Sequence, residues 1–147
     1  MKNNLIPERL FEKDFKEFTG FYDYHVKKQK ISLALNDIQG FGVELKVTKP
    51  DEIQKMVDNS LAINTIYFSS SKKKNNVKNL MWTIRCLTSH PENISELMFE
   101  NIKCYKIYCT RKTNGIKQET MKAIIACDIW KEFIKNITTK IIENEKY

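Results

Sequence analysis

NIKCYKIYCTRKTNGIKQETMKAIIAC, residues 101–127, decides the fold. NIKCYKIYCT and TMKAIIAC alternate apolar with polar residues, the period of a strand with one buried face. Between them stands Asn114-Gly115, the strongest short hairpin signal in the chain, because both residues tolerate positive φ. An antiparallel hairpin is therefore expected here. Asp128 follows directly and can cap a last helix, in which Trp130, Phe133, Ile134, Ile137 and Ile141 recur every three or four residues.

Upstream, Val77, Leu80, Met81, Ile84 and Leu87 mark an amphipathic helix that closes before Pro91. The apolar run AINTIYF before it reads as a strand, separated from the helix by the polar loop SSSKKKNN. Pro50 with Asp51 and Glu52 suits a helix start, and Ile53, Met56 and Val57 give that helix an apolar stripe. FYDYHV, ISLAL and GFGVELKVT read as two or three strands, with NDIQG linking the last two. Phe41, Val43, Leu45 and Val47 would then share one face. At the start, Phe11, Phe15 and Phe18 have helical spacing, and Gly20 offers a left-handed stop. The expected architecture is α+β or α/β: one domain spanning 1–147, a central mixed sheet with three or four flanking helices, and a C-terminal hairpin plus helix.

Composition supports that reading. A chain of 147 residues with 41% hydrophobic and 29% charged residues is globular in character and suits one domain. It contains no apolar run long enough to span a membrane, and its first residues do not form a secretory signal, so a cytoplasmic location is expected. Cys86, Cys104, Cys109 and Cys127 lack CxxC spacing, which favours reduced, buried thiols over bridges or zinc. The net charge of +7 favours polyanionic partners: nucleic acid, DNA before RNA, or an acidic protein surface. Lysine supplies nearly all of it, since Arg9, Arg85 and Arg111 are the only arginines. Lysine suits phosphate contacts better than bidentate base readout. Lys72, Lys73 and Lys74 are the first candidates for such contacts, and self-association as a homodimer is left open.

One strand carries a further signal. In GVELKV, residues 42–47, Glu44 and Lys46 sit two apart and so reach one face of the strand together. Asp37 lies seven residues upstream of Glu44, in LNDIQGFGVELK. This arrangement resembles the PD-(D/E)xK nuclease superfamily, in particular the mismatch-repair nicking endonuclease and its GATC-cutting restriction relatives with their GVELK strand. The likeness is close over residues 36–48, with Asn36 where the motif has proline, and the strand-helix-strand order through AINTIYFSSSK is also similar. It implies Asp37 and Glu44 as ligands of Mg²⁺ or Mn²⁺, Lys46 beside the nucleophilic water, and phosphodiester hydrolysis in DNA. Glu12 is a further candidate ligand from the first helix, and Asp23 another if FYDYHV is an adjacent antiparallel strand.

Geometry restricts the implied site. Along an extended chain at about 3.3 Å per residue, Asp37 and Glu44 would stand more than about 20 Å apart, so the backbone must fold back between Ile38 and Phe41. Arg85 and His90 form an R-x4-H spacing that resembles the HEPN ribonucleases, an all-helical group at odds with the strands here. Tyr22, Tyr24, Tyr105 and Tyr108 stand near lysines, where they could stack on single-stranded bases or simply pack in the sheet. Two functions are consistent with these features. One is a small metal-dependent DNA endonuclease. The other is a non-catalytic basic α+β protein of a phage or mobile element, acting as inhibitor or regulator by docking.

Overall fold

In a computed structural model, the described residues are 18–28, 31, 33–38, 42–69, 76–87, 90 and 93–145. Among them the helices are α1 (residues 18–25), α2 (Pro50–Lys55), α3 (Asn76–Cys86) and α4 (Cys127–Glu145). The strands are β1 (Glu44–Val47), β2 (Thr65–Phe68), β3 (Ile94–Phe99), β4 (Ile102–Thr113) and β5 (Ile116–Ala126). They form one five-stranded mixed sheet in the order β1-β2-β5-β4-β3, an α+β architecture. Only β1 and β2 run parallel, and the other neighbours are antiparallel. Parallel strands need a crossover, which α2 supplies.

Two turns build the antiparallel part. Asn114 and Gly115 have φ of 53° and 80°, so the expected two-residue hairpin forms and joins β4 to β5. Glu100 and Asn101, with φ of 51° and 68°, make a second such turn between β3 and β4. The sequence reading did not include β3, because Glu-Asn is not a turn signature of the Asn-Gly kind. On β5, the register shift between Cys109 and Thr110 leaves Thr120 as an extra residue.

A row of apolar side chains crosses the inner sheet face: Leu45, Ile66, Ala123 and Ile107, in register from β1 to β4. Phe18, Tyr22 and Val26 from the first helical segment, Val77 to Leu87 from the third, and Trp130, Phe133, Ile137 and Ile141 of α4 pack on it. The helical spacings read for α3 and α4 therefore do define their buried stripes. A smaller cluster on the outer face holds Leu61, Tyr67, Cys104 and Ile124, with Met56, Ile63, Leu97 and Phe99 around it.

Asn64 locks the sheet's centre. With φ of 61°, it donates its N–H to the Ile124 carbonyl, accepts from the Glu44 N–H, and accepts the Ala126 N–H at its side-chain Oδ1. A short polar side chain that tolerates the left-handed region suits this position.

Several expectations are corrected. FYDYHV is not a strand: residues 21–25 continue the first helix, which runs through Gly20 instead of stopping there. Phe18, Tyr22 and Val26, four residues apart, are all buried and explain the helical choice. Of ISLAL, the described residues Ile31, Leu33 and Ala34 are not in a strand, and Leu35 opens a 3-10 turn, Leu35–Ile38. In β1, Val47 is exposed while Val43 and Leu45 are buried. Val57 lies beyond α2 and is exposed, and Met56 is only half-buried, so Ile53 alone anchors that helix. The final helix starts one residue before Asp128, whose charge then sits in the first turn at the positive helix end. Phe11, Phe15 and Phe41 lie outside the described residues. No helix among the described residues is long and apolar enough to cross a membrane.

Candidate functional site

Because β1 alternates, burying Leu45 turns Glu44 and Lys46 outward together. Lys46 Nζ lies 3.6 Å from Glu44 Oε2, with the two side chains 51% and 60% exposed. Lys46 also stands 6.0 Å from the centre of the Tyr67 ring, its neighbour in register on β2. A pair this exposed is screened by water and adds little stability. It does satisfy the carboxylate's charge locally.

Asp37 is exposed in the 3-10 turn, where its Oδ2 accepts the Ala34 N–H at 2.8 Å. That contact is the ordinary side-chain cap of a tight turn. Gly42, at φ of 83°, redirects the chain just before β1; a Cβ there would meet Ile129 only in ordinary contact at 3.4 Å, so the left-handed backbone is what calls for glycine. Asp23 is exposed on the first helix, away from any strand position, so the route that would bring it beside Glu44 through an antiparallel pairing is absent. Glu12 and the lysines at 72, 73 and 74 lie outside the described residues.

A magnesium site needs hard oxygen donors converging on one ion, from carboxylates, water and substrate phosphate. Among the described residues, no three His, Cys, Asp or Glu side chains are grouped so that they could hold a metal ion. Asp37 is engaged as a turn cap and Glu44 in an ion pair. Arg85 is half-buried on α3, with its guanidinium 5.7 Å from the Trp82 ring centre, and His90 is exposed after that helix.

The outer face holds what the motif reading left out. One step along from the apolar row, Lys46, Tyr67, Lys122 and Tyr108 are in register across four strands. Most lysines of this face are already engaged. Lys106 Nζ bonds Asp58 Oδ2 at 2.8 Å, and Lys122 Nζ donates to the Met56 carbonyl at 2.8 Å. Lys122 also lies 3.1 Å from Glu119 Oε2, a buried oxygen that makes no aligned hydrogen bond, so this contact is electrostatic only. Further out, Lys112 stands directly opposite Lys117. That pairing was readable: a two-residue turn at 114 and 115 forces 113 opposite 116 and 112 opposite 117.

All four cysteines are free. Cys104 and Cys109 are buried, as expected of thiols inside a strand, while Cys86 and Cys127 are half-buried. Burial, with the neighbouring Cys86 thiol adding to it, pushes Cys109 from 9.0 to about 12. Burial also raises Cys86, against the lowering effect of Arg85 and Arg111. These thiols stay protonated and are poor nucleophiles.

Comparison of the chain with protein-family models, with curated proteins and with solved structures finds no match.

Proposed function

We propose that this protein is a non-catalytic docking module for a polyanionic partner, nucleic acid in the first instance, and acts as a regulator or inhibitor by occupancy. The observation that carries this reading is the pairing of Glu44 with Lys46 on the exposed sheet face, 3.6 Å apart. A carboxylate that already neighbours an ammonium, beside an Asp37 spent on a turn cap, favours a solvated charged surface over a metal-centred reaction. The net charge of +7 supports a polyanionic partner through counterion release.

A second reading keeps the endonuclease. It is favoured by the parallel unit β1-α2-β2, which carries Glu44 and Lys46 on one face as the PD-(D/E)xK likeness implies. In that reading Asp37 and Glu44 hold Mg²⁺ and Lys46 orients water, with a further acid such as Glu12 completing the site.

The two readings separate in one experiment. Purified protein is incubated with supercoiled plasmid and Mg²⁺ or Mn²⁺, beside a Lys46→Ala variant, while affinity for the plasmid is followed against salt. The docking reading expects salt-sensitive binding without nicking. Metal-dependent nicking that is lost in Lys46→Ala would overturn it in favour of the hydrolase.

A further inference from the structure

Among the described residues, the outer ends of β4 and β5 have no third strand beside them. Strand β3 pairs with β4 only as far as Ile107, and β2 pairs with β5 only as far as Met121, with one further bond from the Ser69 N–H to the Thr120 carbonyl. Beyond that point, four cross-strand pairs, from Thr110 opposite Glu119 to Thr113 opposite Ile116, form a two-stranded ribbon. At about 3.4 Å per residue it projects about 14 Å before the turn. Arg111, Lys112, Asn114, Gly115, Ile116, Lys117 and Gln118 along it are exposed.

Charge on this ribbon differs from charge on the body of the sheet. Lys46, Lys103, Lys106 and Lys122 each have a carboxylate within ion-pair distance. Among the described residues, no ion pair is made by Arg111, Lys112 or Lys117. Two of the three face each other, since Lys112 is directly opposite Lys117, an arrangement that is unfavourable until an anion lies between them. Arg111, one residue along, points to the other face of the ribbon, where its charge reaches Cys86 on α3. The ribbon thus presents cations on both faces.

We propose that the β4–β5 ribbon is the contact surface for duplex DNA, entering the major groove with Lys112 and Lys117 against one phosphate wall and Arg111 against the other. The proposal rests on the docking reading above and names its partner and its surface. The major groove of B-form DNA, about 12 Å wide, admits a two-stranded ribbon, whereas the deep, narrow major groove of A-form RNA does not. With two lysines and one arginine, the contact grips phosphates and reads little sequence.

The test uses the full chain and a labelled mixed-sequence DNA duplex of about 20 base pairs, with affinity measured by anisotropy across a salt series. A duplex RNA and a single-stranded DNA of the same length form the other arms. Compared with wild type are Lys112→Gln with Lys117→Gln, Lys112→Arg with Lys117→Arg, and a control, Lys131→Gln with Lys135→Gln, on the exposed side of α4. The ribbon glutamines should weaken DNA binding and reduce the slope of log affinity against log salt by about two, one per lost phosphate contact. The arginine pair should restore the slope, and the α4 pair should leave it unchanged. Circular dichroism checks that the variants are folded. An unchanged slope in the folded glutamine variant overturns the ribbon assignment while leaving the docking reading standing. Equal affinity for duplex RNA, or for the single strand, overturns the groove assignment. Absence of salt-sensitive binding to all three nucleic acids overturns the docking reading and the ribbon with it.

Discussion

Leu45, Ile66, Ala123 and Ile107 lie on a sheet face sealed by α1, α3 and α4. The opposite face, with Lys46, Tyr67, Lys122 and Tyr108, carries among the described residues only the smaller apolar cluster, formed with the segment around Met56 to Ile63. Burial of apolar area scales with coverage, so the inner face holds most of the folding energy, and the outer face is left to arrange charge. The consequence is a separation of roles: mutations on one face should change stability, and those on the other should change association.

The largest effect tests the first half of that contrast. Phe133 of α4 is fully buried, and Phe133→Ala should cost about 3–5 kcal/mol in urea unfolding. Leu61, in the smaller outer cluster, is also buried, yet its exposed neighbours can close over a lost side chain. Leu61→Ala should therefore fall near the low end of such changes, about 2 kcal/mol. Equal costs at the two positions would break the asymmetry between the faces.

Titration sharpens the contrast. Cys109 lies on the inner face, and its thiol is pushed up to about 12 by burial first and the Cys86 thiol second. A raised pKa means the folded state keeps its proton while the unfolded chain loses it. The stabilising contribution is then whole below the unfolded value of 9.0 and is lost as pH climbs toward about 12. Urea midpoints should fall across that window, and more steeply in wild type than in Cys109→Ala. Identical profiles would show that the inner face is wetter than its burial implies. Below pH 9 the two proteins should differ only by a constant offset for the lost side chain.

Legibility of the sequence followed local chemistry. The ribbon was readable because Asn114-Gly115 names its own turn and fixes the register around it. The stripes of α3 and α4 were readable because period and burial agree along them. β3 was hidden, since Glu100 holds a positive φ of 51° that its side chain does not favour, and pairing with β4 must override the local preference. FYDYHV shows the same override in reverse: its aromatics suggest a strand, but contacts four residues apart bury Phe18, Tyr22 and Val26 on one helical face. Of the candidate site, the shared face of Glu44 and Lys46 followed from strand periodicity alone. The turn cap at Asp37 did not, because it needs Ala34 placed by a 3-10 turn that no pattern of apolar residues announces. Asn64 was missed for a related reason, since its three hydrogen bonds join segments far apart in the chain.

The smallest effect falls on the outer face and checks the register on which the ribbon depends. Lys117→Glu converts a like-charged cross-strand pair into an attractive one with Lys112. Such a change should stabilise the fold by about 0.2–1 kcal/mol at low salt, and the gain should shrink as ionic strength rises. The same variant loses one ribbon cation and gains an anion, so affinity for a DNA duplex should drop even as the unfolding midpoint climbs. Opposite movement of stability and binding in one exposed residue is hard to obtain from a damaged fold, which would lower both. Should Lys117→Glu instead destabilise the protein at every salt concentration, residues 112 and 117 do not face each other, and the charged surface of the ribbon would need a different register.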